Sequence, residues 1–221
     1  MQGACSRRPV MSFCAGWAVA LAIFVATGCR VVSSGADERT DALLSDYRSR
    51  SAKTFPSAEV VWTPSWRSGE FTVHALTKQQ LTVLERVSVF QQAGQERVRV
   101  SVDRLGANER LRVRLTLGRA PLEGERLDGL VTEAWVRRDD RPEVHHLGEV
   151  PAEVVALVNA AIERPRADSS PRTLTVPAGT FEGCIGGVHG GVPLSGVVQQ
   201  ERGDVLRELL EFGDDDSGWL Y

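Results

Sequence analysis

Cysteine is scarce in this chain and poorly placed for cross-linking. Of 221 residues only four are cysteine: Cys5, Cys14, Cys29 and Cys184. The first three crowd into an N-terminal segment that reads as a targeting signal. If that segment is removed and Cys29 is modified, Cys184 has no thiol to pair with. A disulfide-stapled secreted domain is thereby excluded, and the fold must rest on its core. An excess of basic charge is also missing. The formal net charge is −3, and loss of residues 1–28 with Arg7 and Arg8 takes it to −5. Nucleic-acid binding wants a basic stripe, so no nucleic-acid partner is expected. Internal repeats, dinucleotide or P-loop glycine motifs and spaced metal ligands are lacking too, so neither a cofactor nor a metal is expected.

Long apolar runs are nearly absent. The one that exists, Phe13 through Ala26, follows Arg7-Arg8, and no charge falls between Arg8 and Arg30. A membrane span needs roughly 20 apolar residues, whereas a signal-peptide core is shorter. The run ends in Ala26-Thr27-Gly28-Cys29. Small residues directly before a cysteine resemble the lipobox of bacterial lipoproteins, with Ala26 where a larger apolar residue is usual. That resemblance implies cleavage between Gly28 and Cys29 and acylation of the Cys29 thiol. Each buried methylene contributes about 0.8 kcal/mol, so two or three chains anchor firmly where one does not. Arg30, rather than Asp, follows the cysteine, which by the same resemblance implies the outer membrane, facing the periplasm. An uncleaved anchor helix and plain secretion are the alternative readings.

Beyond the signal, residues 29–56 read as a polar tether with a short helix near 38–48, where Leu43, Leu44 and Tyr47 share helical spacing. From residue 57 the apolar period becomes 2. Phe71, Val73 and Ala75 alternate with polar neighbours, as do Val98, Val100 and Val102, and Leu111, Val113, Leu115 and Leu117. Such alternation specifies strands with one buried and one wet face, as in antiparallel sheets. A further strand is expected over 126–137. Pro151 to Glu163 reverts to helical spacing, with Val154, Val155, Leu157, Val158, Ala161 and Ile162 on one side. Strands are expected again over 172–177, 180–185, 192–201 and 205–212, the last also readable as a helix. Residues 214–221 form an acidic tail, including Asp214, Asp215 and Asp216.

The stretch Thr173-Leu174-Thr175-Val176-Pro177-Ala178-Gly179-Thr180-Phe181-Glu182-Gly183-Cys184, with Val192-Pro193-Leu194 and Glu208 to Gly213, resembles a group of exported proteins and lipoproteins. Trp62-Thr63-Pro64-Ser65-Trp66 with Gly69-Glu70-Phe71 resembles the start of the same domain. In architecture these are similar to the periplasmic lipoprotein carriers of the LolA/LolB kind. The resemblance covers about 57–213. It implies a mainly β fold of the α+β class: a strongly curved antiparallel sheet, or open half-barrel, with one or two helices on its concave side.

Several clusters carry chemical potential. His145-His146 lie near Asp139, Asp140, Glu143 and Glu149, but adjacent strand residues face opposite ways, which suits a polar hairpin better than a metal site. Cys184 and His189, flanked by Gly186-Gly187 and Gly190-Gly191, have the residue types of a nucleophile and its base. Arg110, Arg112 and Arg114 make a cationic row that acids on neighbouring elements can neutralise. Asp214 to Asp216 lack the spaced oxygen ligands of a calcium loop.

These readings converge on a non-enzymatic, lipid-anchored envelope protein that binds an apolar ligand or partner segment in a concave groove. Trp62, Trp66, Val154, Leu157 and Val158 are the expected groove or packing residues. A scaffold acting through its outer surface, and an enzyme built on Cys184 and His189, are the rivals. They differ in what they demand: an apolar cavity under the 151–163 helix, or a reachable thiol beside His189.

Overall fold

The period-2 segments become strands because alternation puts every second side chain on one face. In the computed structural model, residues 34–60, 66–91, 96–107, 109–122, 125–165 and 169–214 are described. Cys29, Gly28, Trp62, the signal segment and residues 215–221 lie outside them.

Eight antiparallel strands form the main sheet. Chain order gives β1 (Thr54–Phe55), β2 (Phe71–Lys78), β3 (Leu81–Gln91), β4 (Val98–Gly106), β5 (Glu109–Leu117), β6 (Val131–Arg138), β7 (Val144–Leu147), β8 (Arg172–Val176), β9 (Gly179–Cys184), β10 (Gln199–Arg202) and β11 (Val205–Gly213). The sheet order is β10-β11-β2-β3-β4-β5-β6-β7, while β1, β9 and β8 form a small second sheet. Strands β2 to β7 are a meander, and β11 returns to pair with β2. Among the described residues no pairing joins β10 to β7, so the sheet is open. The segment 205–212, readable two ways, is a strand. Its helix-like Leu206, Leu209 and Leu210 are reconciled with pairing by a bulge between Leu209 and Glu211.

Two helices flank the sheet, α1 (Ser34–Ser49) and α2 (Ala152–Ile162). Helix α2 begins just after Pro151, whose carbonyl accepts from the Val154 and Val155 N–H groups. Its apolar side packs on Val87, Val89, Val100, Val102, Val113, Leu115 and Ala134. We call this the inner face. Full burial of each such side chain contributes about 1.5–3 kcal/mol.

Helix α1 lies on the opposite face. Its Leu44 and Tyr47 pack on Phe71, Val73, Ala75, Leu84 and Leu105. Register requires the separation: Leu84 pairs with Leu105 and Val87 with Val102, so the two sets have opposite parity on the same strands. The resemblance implied helices on the concave side only, and here they lie on both faces.

The helix expected near 38–48 is present as α1, which runs Ser34–Ser49 and packs on the sheet, and β1 pairs in parallel with β9. One expectation is corrected. The strand expected over 192–201 reduces to β10, since Pro193 and the glycines before it break the ladder and leave a bridged loop. Gly187, at φ +84°, lets that loop close: a Cβ there would stand 1.9 Å from the Gln199 carbonyl oxygen. The polar hairpin expected around His145 is present, with β7 as its edge strand paired with β6.

Candidate functional site

The space beneath α2 is filled rather than hollow. Val158 is fully buried, and Val154 and Leu157 are buried against the valines and leucines of β3 to β6. Trp66 is half-buried at the margin of the same cluster. These residues are packing residues, and the groove expected under α2 is occupied by the protein's own side chains.

Cys184 and His189 are both buried, and at the thiol burial outweighs the opposing pull of Arg172 and of the Leu174 backbone. Cys184 is fully buried, its sulfur 3.6 Å from the Phe181 carbonyl, and burial pushes its thiol up to about 11. His189 Nδ1 accepts from the Gly191 N–H at 3.1 Å, and Nε2 donates to the Pro56 carbonyl at 3.0 Å. Both ring nitrogens are therefore engaged by backbone, and the ring stands edge-on to Phe181. The pair fastens the 185–198 loop to the segment after β1 instead of forming a nucleophile and base.

The other clusters also resolve into structure. His145 stacks on Trp135 and meets Glu133 at 3.2 Å, while His146 pairs opposite Ala134 on the other face. Arg112 meets Asp103 at 2.8 Å, Arg114 grips Glu143, and Arg110 lies 3.9 Å from Asp140. That cationic row is thus largely neutralised. Among the described residues, no three His, Cys, Asp or Glu side chains are grouped to hold a metal.

The inner face carries a charged core that sequence spacing did not reveal. Arg104 donates to Glu85 through Nε and Nη2 at 2.9 and 2.6 Å. Arg207 lies 3.4 Å from the same carboxylate, and its Nη2 also donates to the Ala161 carbonyl at the end of α2. His74 completes the group: Nδ1 accepts from Arg207 at 3.3 Å and Nε2 donates to the Val197 carbonyl at 3.0 Å. Burial and the adjacent Arg207 hold His74 well below its ordinary value, so the imidazole is neutral. Burial alone would raise Glu85, but Arg104 and Arg207 outweigh it and hold the carboxyl below its usual range. The network ties α2 and the 185–198 loop to β2, β3, β4 and β11.

An open cleft lies where the 190–193 loop faces the end of β11. Its volume is about 540 Å³, and its lining includes Arg67, Arg164, Gly190, Val192, Pro193 and Phe212. Small-ligand sites commonly fall in this size range. Val192, Pro193 and Phe212 supply its apolar part, beside the charged Arg67, Glu70, Arg164 and Asp214, and Phe212 continues into an aromatic cluster with Phe55 and Phe181. Arg164 supplies the polar end. Its Nε donates to the Ser195 carbonyl at 2.9 Å and its Nη2 to the Leu194 carbonyl at 2.8 Å.

Sequence reading singled out the glycines beside this cleft but not Arg164 or Phe212. Arg164 lies in a polar loop, and no spacing marks it. Only folding brings that loop to β11. Compared with family models, with curated proteins and with solved structures, the chain matches none.

Proposed function

We propose that this is an exported, lipid-anchored protein of the bacterial cell envelope that works by binding rather than by catalysis. The anchor is Cys29, on the outer membrane facing the periplasm, and the ligand or partner segment is apolar in part. The observation that carries the binding reading is the half-apolar cleft at the margin of the inner face, with Val192, Pro193 and Phe212 inside it. The side chains packed beneath α2 favour this cleft over the space under the helix as the site. The anchoring reading rests on the uncharged run Phe13 to Ala26 closing in Ala26-Thr27-Gly28-Cys29. The backbone engagement of His189 and the buried Cys184 thiol weigh against the thiol-enzyme rival.

Metabolic labelling with radioactive palmitate tests the anchor. Wild-type protein is expected to take up label and to sediment with outer membranes. Cys29→Ala is expected to lose the label and to persist as the uncleaved precursor. Equal labelling of both proteins overturns the reading.

A further inference from the structure

Arg164 is an unusual cation. It is half-buried, and its two resolved hydrogen bonds run to neutral backbone carbonyls, those of Leu194 and Ser195. No carboxylate is close enough to offset its charge among the described residues: burial alone lowers its proton affinity. A half-buried guanidinium without an acid is costly, and sequences do not keep such groups cheaply. The two carbonyls hold one edge of the planar fork, through Nε and Nη2. Nη1 and the second hydrogen of Nη2 remain as donors in a geometry suited to a carboxylate or phosphate oxygen.

The surroundings match an anion attached to an apolar body. Arg67 adds a second, exposed cation to the lining, while Val192, Pro193 and Phe212 supply apolar wall. Of the two acids present, Glu70 is turned to the Arg67 N–H at 3.2 Å, and Asp214 is exposed.

We infer that the cleft between the 190–193 loop and the end of β11 binds an anionic amphiphile, with Arg164 taking its carboxylate or phosphate and Val192, Pro193 and Phe212 taking its apolar chain. This rests on the binding reading above and names the ligand class for that site.

The test uses full-length protein in phosphatidylcholine membranes, with a diazirine-bearing octanoate as photocrosslinking probe. Octanoate, octyl phosphate, octanol and inorganic phosphate serve as competitors. Octanoate and octyl phosphate are expected to compete at least about tenfold more strongly than octanol, the ratio expected of one charge-assisted hydrogen bond. Weak competition by inorganic phosphate marks an amphiphile site, whereas competition equal to octyl phosphate marks a free-anion site and overturns the assignment of the chain. Arg164→Gln is expected to bring octanoate down to the level of octanol. Should that variant fail to fold, phenylglyoxal modification of Arg164 in wild-type protein decides instead: octanoate is expected to protect it and octanol is not. Octanol competing as well as octanoate overturns the anionic assignment alone. No saturable crosslinking by the probe overturns the binding reading with it.

Discussion

At the scale of single residues, the environment of a group decides its chemistry more than its type does. Cys184 and His189 lie five positions apart among glycines, a spacing that allows a nucleophile and its base. In the fold the thiol is buried among Leu174, Phe181, Val192 and Val198, and the imidazole is spent on two backbone groups. A thiol reacts as its thiolate, so pushing its value up to about 11 leaves it inert near neutrality. Iodoacetamide at pH 8 is expected to leave Cys184 unmodified in native protein and to alkylate it in urea. Rapid native alkylation, read by peptide mass spectrometry, would revive the enzyme reading. Arg164 is the converse case. Nothing around it in sequence marks it, yet the fold leaves it half-buried and facing a cleft.

At the scale of elements, most boundaries were readable from the chain. The alternation over Val98–Val102 and Leu111–Leu117 places β4 and β5 because a strand reverses its side chains at every step. The 3.6 period over Val154–Ile162 places α2 for the equivalent helical reason. Short or compensated elements were not readable. Strand β1 has two residues, too few for any period. The burial of α2 gives a direct test. Leu157→Ala removes side-chain volume from a filled core and is expected to cost about 2–5 kcal/mol. Leu147→Ala, at a residue 77 % exposed on the edge strand β7, is expected to stay within about 0.5 kcal/mol. Urea denaturation of the two variants measures the difference. A Leu157→Ala cost as small as that of Leu147→Ala would mean that α2 is not packed as described.

At the scale of the whole molecule, the charged core couples parts that are far apart in sequence. His74, Glu85, Arg104 and Arg207 join four strands to the end of α2 and to the 185–198 loop. His74 is held neutral in the fold, whereas the unfolded chain takes up that proton near pH 6.5. Above that pH neither state is charged there, and the network contributes in full. Below it only the unfolded state binds the proton, so stability falls as pH falls, by about 1.4 kcal/mol between pH 7.5 and 5.5. His74→Gln is expected to lack this loss. Glu109, pushed up by burial, titrates in both proteins and cancels in the comparison. Urea midpoints at the two pH values measure it, and equal losses in the two proteins would exclude His74 as the cause.

What the sequence by itself determined is periodic or local. The antiparallel sheet and the helix at 152–162 each follow from neighbours along the chain, where side-chain period carries the information. Tertiary structure alone decided three things. It put α1 and α2 on opposite faces, because register fixes which parity meets which helix. It filled the space expected to be a groove, because only packing tells a lined cavity from a closed core. It also assembled the Arg164 cleft and the His74 network from segments far apart in the chain, His74 and Arg207 being 133 positions apart. Contacts over such separations depend on how the strands and loops come together, and no local pattern encodes them.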